Sequence, residues 1–528
     1  MKKIITIVGC GAVGAAQLHH LVQQLIHDNI AEHFEILVFE KTSSLAHGVA
    51  YALDDHVNLL NRNAETMSLI YHKYDDFMDW LTKNKKKWHV AFPGITISKG
   101  KEAFLPRALF GMYCADTIQN AIIYARNHKL KVSIIFDEVM SIDKHNNNYQ
   151  IGTRNGWKLH SDIVILTLGN LPAQKFGCHL SSEKFYHSPY PTQNLVNISS
   201  SASVGILGSR LSAIDAAIAL HHRGHKGNMA FISRSGWLPA VRSPYRSHEL
   251  KILTSRAIQE YVSAKNRDLG LRQIIKLLTK EVNLLCNEKT LISDWLSKPR
   301  EPKSHFENEF KTYKSMKKIA WQSVLIAFNQ VIEQAWNELS DRDKDLFDCE
   351  YKSWFMANRV SIPFKNARKI YNLFVSRQLS MIKDFKSISI KSDKFIVQNN
   401  SSAFEFDYVI DATGYSDDLN CIQSLLITNM LGKGLIKPHK FGGMDVDFDT
   451  SRVIRSDGIP ERNLYAIGNL TSGTYFFTSV LELNVKHTYK VAKQIATDFI
   501  TSCQAHRPVS IANCSPFFEY QNVMSMSE

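Results

Sequence analysis

The chain lacks any Cys-x-x-Cys pair, and that absence sets aside two chemistries at once. Its eight cysteines, Cys10, Cys114, Cys178, Cys286, Cys349, Cys421, Cys503 and Cys514, are dispersed, so neither a zinc ribbon nor a redox-active dithiol is indicated. Spread through so long a chain, they read as free thiols of a reducing compartment, each a small core residue before it is a nucleophile. No uninterrupted apolar run reaches the roughly 18 residues that a membrane-spanning helix needs. Residues 2–16, KKIITIVGCGAVGAA, put two lysines before an apolar run as a signal peptide does, but their regular glycines argue against one, and the chain reads as cytoplasmic. No Gly-x-Ser-x-Gly elbow supports acyl transfer. His19-His20 and His221-His222 are adjacent pairs, which diverge on a helix instead of converging at i and i+4, so no metal site is expected. A solenoid repeat is also lacking.

What is present begins with length. At 528 residues and 44% hydrophobic, the chain exceeds the size at which one core keeps growing, so two or more units are expected. The net charge of +13, from 63 basic and 50 acidic residues, suits an anionic partner such as a nucleotide. The lysines are scattered over solvated faces, so a nucleic-acid partner is not expected. Oligomeric state leaves no trace in the sequence.

Ile4–Val8 is a short apolar run, followed by glycines and a helical pattern carrying Leu18, Leu21, Val22 and Leu25; a second strand, Glu35–Phe39, closes a β-α-β unit. The turn is Gly9-Cys10-Gly11-Ala12-Val13-Gly14. Gly9 permits the turn, Gly11 lets a pyrophosphate approach the backbone, and Gly14 allows close packing, while the helix N-terminus supplies partial positive charge. Glu40 ends the next strand, where a carboxylate accepts hydrogen bonds from ribose hydroxyls and repels a 2′-phosphate; FAD or NAD is expected there rather than NADP. Lys41 follows it.

Short β-like runs between Lys131 and Leu168, with Asn155-Gly156 as a hairpin turn, predict a layer of antiparallel strands. A second strand-turn-helix follows at Val204–Leu207, with Gly208-Ser209-Arg210-Leu211-Ser212-Ala213 and then Asp215. Here Arg210 replaces the middle glycine, which alters a pyrophosphate's approach. Ser233-Arg234 ends the next strand, Met229–Ile232, and a hydroxyl beside a guanidinium suits a 2′-phosphate, so NADPH is expected over NADH. From about Leu250 to Leu379 the pattern is helical. Leu271, Ile274, Ile275, Leu278, Val282 and Leu285 trace one apolar face; Trp321, Val324, Leu325, Phe328, Val331, Ile332 and Ala335 trace another. Both read as packing faces. Strand signals return at Ser387–Ile390, Phe395–Val397 and Tyr408–Ile410.

Together these residues resemble the two-dinucleotide-binding flavoproteins, and within them a bacterial FAD-NAD(P)-binding family related to the N-hydroxylating and Baeyer-Villiger monooxygenases. The resemblance runs from Ile4 to about Ile495. It is carried by Gly48-Val49-Ala50-Tyr51, Leu59-Leu60-Asn61, Leu105-Pro106-Arg107, Ser233-Arg234-Ser235-Gly236, Asp411-Ala412-Thr413-Gly414-Tyr415 and Leu464-Tyr465-Ala466-Ile467-Gly468-Asn469. It implies an α/β fold: an FAD-binding domain in two parts, 1–200 and 415–500, an NAD(P)H-binding domain, 201–414, with its helical insertion at about 250–379, and a loosely held tail at 501–528.

The resemblance also implies that Gly468 and Asn469 close around the flavin pyrophosphate and ribityl chain, and that Tyr51 and Asn61 lie along the flavin. Thr167-Leu168-Gly169 and Ala412-Thr413-Gly414 would form the crossings between domains. Arg107, Arg210 and Arg234 are the candidates for holding phosphates or a substrate carboxylate. The implied activity is an FAD-dependent, NAD(P)H-consuming monooxygenase acting through a flavin C4a-(hydro)peroxide on a small nucleophile such as an amine. Two alternatives stay open: a flavin reductase or dehydrogenase without oxygen transfer, and a flavin-bound scaffold without catalysis.

Overall fold

The computed structural model describes residues 2–97, 104–176, 180, 182–265, 269–286 and 301–505. Cys178, Cys514 and the part of the expected tail after Ala505 lie outside the described residues. Two parallel sheets organise the chain. The first runs, edge to edge, Arg452–Ile454, Pro460–Ala466, Ile163–Leu166, Lys3–Val8, Phe34–Glu40 and Lys131–Phe136; only its Arg452–Ile454 edge is antiparallel. The second runs Leu379–Ile382, Met229–Ile232, Val204–Leu207, Tyr408–Asp411 and Phe185–Tyr186, all parallel. Each sheet carries a three-stranded antiparallel layer, Val139–His145 to Lys158–Ser161 in the first unit and Ser387–Lys391 to Ala403–Phe406 in the second. Of the β-like runs between Lys131 and Leu168, the first and last therefore belong to the parallel sheet, and only the middle three form the expected layer.

The local reasons are those of short, β-rich apolar runs feeding small-residue helices. Helix Ala12–His27 follows the first strand, and its Ala15, Ala16, Leu18, Leu21, Val22 and Leu25 are fully buried. Removing one such leucine side chain costs about 2–5 kcal/mol. On its other side packs the last helix, Leu481–Ala505, where His20 Nδ1 shares a 2.9 Å hydrogen bond with Thr488 Oγ1. That helix continues to Ala505, beyond the expected start of a tail at 501.

The helical insertion lies between the strands Met229–Ile232 and Leu379–Ile382. Its second apolar stripe is buried throughout but is not one helix. Helix Met316–Ala327 gives way to a 3-10 turn, Phe328–Gln330, before helix Ile332–Asn337 resumes. The break holds buried Asn329, whose side-chain oxygen accepts a 2.7 Å hydrogen bond from Arg359. On the first stripe Ile275 and Leu285 are only partly buried. Among the described residues no helix is long and apolar enough to cross a membrane.

Candidate dinucleotide sites

The strand ends of the first sheet bring the glycines together. Val8, Leu166 and Ala466 stand side by side in register, so the turns that follow, at Gly9, Gly169 and Gly468, open on one cleft. Gly9 has φ +97°, and a Cβ there would meet the Thr167 carbonyl oxygen at 2.6 Å. A Cβ on Gly14 would stand 2.2 Å from the Gly9 carbonyl oxygen, and that oxygen accepts a 2.6 Å hydrogen bond from Thr167 Oγ1. These two glycines are demanded by the protein itself.

Gly11 is different. Its backbone is extended, open to any residue, and the nearest atom to an added Cβ is the Gly48 Cα at 3.5 Å. Gly169 and Gly468 have nothing within 4 Å of an added Cβ. The helix that starts at Ala12 has no side-chain cap and no acidic residue in its first turn, so its N-terminal N–H groups face the cleft as an anion site. A cradle emptied of side chains above an uncapped helix fits the pyrophosphate of a dinucleotide.

Glu40 ends its strand buried, and it holds the loop: Oε2 accepts from Cys10 N at 2.9 Å and Oε1 from Thr42 N at 3.1 Å. A ribose would share a carboxylate already oriented by the turn. Lys41 lines a cleft of about 450 Å³ with Val49, Asn170, Lys175, Asp411 and Gly414, a size ordinary for a cofactor site. Asn469 Nδ2 donates to Asn170 Oδ1, and its own Oδ1 accepts from Thr478 Oγ1 at 3.3 Å. Asn61 is half-buried, with its carbonyl taken by Arg242 at 2.9 Å.

Several expected contacts are corrected. The Tyr51 ring turns into the core against Phe110, 4.8 Å between centroids, and from this segment it is Gly48 that meets the glycine loop, its Cα 3.5 Å from a Cβ added at Gly11, while Val49 lines the cleft. Arg107 does not reach for phosphate. Its guanidinium pairs with Asp215 at 2.6 Å and donates to Tyr190 Oη at 3.0 Å and to the Leu59 carbonyl at 3.1 Å; Tyr190 Oη donates to Asp215 at 2.6 Å. Burial opposes the Arg107 charge, but Asp215 and Tyr190 outweigh it and hold its pKa above the ordinary value. Arg107 is thus a strut between the first unit and the helix of the second.

The second unit copies the geometry of the first. Gly208 has φ +111°, and a Cβ there would meet the Ala412 carbonyl oxygen at 2.6 Å; Gly208 N donates to the Ile232 carbonyl at 2.7 Å as Gly9 N does to that of Phe39 at 2.9 Å. Gly414, the counterpart of Gly169, also has open space around it. Ser209, however, spends its hydroxyl on the Trp237 carbonyl at 2.7 Å. Arg210 caps no helix turn with its side chain and instead donates to the Ser353 carbonyl of the insertion at 3.1 Å. Burial, then the charge of Arg234, lowers its pKa to about 10. Arg234 itself is exposed, and among the described residues no carboxylate pairs with it. Ser233 Oγ accepts from Gly236 N at 3.2 Å. Two guanidiniums near one another, neither paired with a carboxylate among the described residues, fit a phosphate.

Sequence reading missed Lys175, whose ammonium donates to Thr413 Oγ1 at 2.9 Å and to the Gly414 carbonyl, and it missed Tyr190. Both sit in the linker between the units, which has no periodicity; the prolines flanking Tyr190 were its only signal. Among the described residues no group of three or more His, Cys, Asp or Glu could hold a metal ion. Burial pushes the Cys10 and Cys114 thiols far up.

Two parallel sheets, each with a glycine turn, an antiparallel layer and a shared cleft, define the two-dinucleotide-binding flavoprotein fold. Residues 6–171 match the family model described as FAD-NAD(P)-binding. Over nearly its whole length the chain shares this fold with solved N-hydroxylating enzymes. Ornithine hydroxylase PvdA from Pseudomonas aeruginosa is 14% identical, with 94% of this chain and 100% of that one covered and a TM-score of 0.53. Ornithine N-hydroxylase KtzI from Kutzneria sp. 744, solved with reduced FAD, NADP⁺ and L-ornithine, is 15% identical at the same coverage and TM-score 0.53. The FAD-bound cadaverine monooxygenase DfoA from Erwinia amylovora is 12% identical, covering 99% of this chain and 100% of that one at TM-score 0.53. In sequence, the uncharacterized protein YdhS of Escherichia coli strain K12 is 22% identical over 459 residues, 78% of this chain and 83% of that protein.

Proposed function

We propose that the protein is an FAD-dependent oxidoreductase that consumes NADPH and transfers oxygen to a small nucleophilic substrate such as an amine. The observation that carries the flavin reading is the contrast within the glycine loop: Gly9 and Gly14 are required by packing, whereas Gly11 answers to no protein atom closer than 3.5 Å and is left for a ligand. Gly11, the uncapped helix start and Glu40 would hold the ADP half of FAD; Gly468 and Asn469 would close on its other side. When bound, FAD supplies hydride acceptance and, once reduced, oxygen activation.

The chain's own part is binding, orientation and exclusion of water. Arg234, with Arg210 beside it, would hold the NADPH 2′-phosphate, and Ser233 would flank it. The strut Arg107–Asp215 would keep the two nucleotide units at a fixed separation, so that hydride transfer has a defined distance. Oxygen transfer is favoured over thiol chemistry because the sequence has no Cys-x-x-Cys pair, and the ornithine and cadaverine enzymes that share the fold carry hydroxylase and monooxygenase in their names.

Arg210 favours one second reading. A side chain where a pyrophosphate needs bare backbone suits a protein that keeps flavin but takes no nicotinamide. The test is an anaerobic titration of the purified protein with NADPH, followed by air. Bleaching of the flavin and oxygen uptake coupled to a hydroxylated amine support the proposal. Bleaching without coupled product supports a reductase, and flavin that stays oxidised under excess NADPH and NADH supports the scaffold.

A further inference from the structure

Helix Ile332–Asn337 of the insertion grips the segment that runs on from Asn469. Buried Trp336 donates from Nε1 to the Gly473 carbonyl at 2.8 Å, 137 residues away. Its ring stacks on Phe476, 4.6 Å between centroids and 22° between planes. Phe347 and Phe355, also of the insertion, meet the Phe476 ring at 5.2 Å and 5.7 Å. Three residues before Trp336, Glu333 accepts a 2.7 Å hydrogen bond from Lys486 of the last helix. Gly473 is pinned from its N–H as well, which donates to the Gly442 carbonyl at 2.8 Å.

What this grip fixes is an uncommon turn. Phe476 has φ +61° and ψ −67°, and Phe477 N donates to the Tyr475 carbonyl at 2.7 Å, which is a γ-turn of the rare and strained hand. A residue with a side chain stays there only where its surroundings over-determine it, and the stack on Trp336 is such a surrounding. The turn redirects the chain, and two residues on, buried Thr478 puts its hydroxyl on Asn469 Oδ1 at 3.3 Å. Asn484 of the last helix fixes Thr478 in its turn, donating to its carbonyl at 2.8 Å. Asn469 is thereby held at both ends of its amide, since its Nδ2 donates to Asn170.

We propose that Trp336 is a positioning residue for FAD: through Phe476 and Thr478 it sets the amide of Asn469, so that the helical insertion helps determine how tightly the first unit holds its cofactor. The inference rests on the reading above that Asn469 closes on the flavin nucleotide.

The test is a titration of the flavin-free full chain with FAD, read by flavin fluorescence, beside thermal melting of the same samples without FAD. Trp336→Phe keeps a stacking ring and loses the Gly473 bond; Thr478→Val keeps the shape and loses the hydroxyl. Each should weaken the FAD dissociation constant roughly three- to ten-fold, the share of one hydrogen bond. The double variant should lose no more than the larger single one, because both act on one amide. Thr478→Ser, which keeps the hydroxyl, should bind as the parent does. Trp354→Phe makes the same change in the same core, where its ring packs on Trp321 at 5.5 Å; it should lower the melting temperature and leave the FAD dissociation constant at the parental value. Phe476→Leu removes the stack from its other side and keeps the test decisive if Trp336→Phe does not fold. Parental FAD affinity in the folded variant of this pair, or an equal loss in Trp354→Phe, overturns the proposal. A parent that binds no FAD fails the flavin reading itself and this inference with it, a result distinct from a parent that binds and variants that bind as well.

Discussion

The first and second dinucleotide units share a blueprint and differ at the residues that would touch a ligand. Gly9 and Gly208 make the same turn, and each is closed by a carbonyl of the neighbouring strand end, Thr167 in one and Ala412 in the other. Strand register sets Glu40 against Ser233 and Lys41 against Arg234. Yet Gly11 becomes Arg210, Gly14 becomes Ala213, and a buried carboxylate becomes a hydroxyl beside a guanidinium. The backbone needs of a turn were kept in both units, while the electrostatics of the mouth were inverted from acidic to basic. An acidic end accepts ribose hydroxyls; a basic one accepts a phosphate.

The sharpest way to break this comparison is at the middle position. Gly11→Val fills the emptied cradle, and the purified variant should retain no flavin by absorbance; Arg210→Gly, its mirror change, should leave flavin content at the parental level. A yellow, fully loaded Gly11→Val protein would remove this loop from the cofactor site. Next is the strut between the units. Asp215→Asn leaves Arg107 buried without a counter-charge and should cost about 3–5 kcal/mol in chemical denaturation, with flavin reduction slowed. A loss below about 1 kcal/mol, within the range of an exposed pair, would show that the pair is not the tie between the units.

Matched deletions then separate the two mouths. Arg234→Ala should lower NADPH affinity by about 1.5–3 kcal/mol, roughly ten-fold to more than a hundred-fold, and leave NADH nearly unchanged. Equal losses for both would make Arg234 a structural residue. Glu40→Ala should weaken FAD by about 1.5–3 kcal/mol, while Glu40→Gln, which keeps an acceptor for the Cys10 N–H, should lose less. An unchanged FAD dissociation constant in Glu40→Ala would exclude it from the site. The smallest effect belongs to the packing position. Ala213→Gly should cost about 1 kcal/mol from helix propensity alone, with nucleotide binding intact. The reverse change, Gly14→Ala, has no such freedom, because its Cβ would stand 2.2 Å from the Gly9 carbonyl oxygen.

The sequence alone determined the first β-α-β unit, the second strand-turn-helix and the helical insertion, because their signals are local: glycine spacing, runs of four to six apolar residues, and period-3.6 stripes lie within a few dozen positions of one another. Glu40 and Arg234 were legible for the same reason, each ending the strand after its own turn. Only the tertiary structure decided what the other arginines do. Arg107 meets Asp215 across the join of the two units, Arg210 meets the carbonyl of Ser353, 143 residues away, and Arg242 meets Asn61 across 181 residues. A guanidinium's role is set by the charge balance and burial around its tip, and those are supplied by segments brought together only when the sheets and the insertion pack.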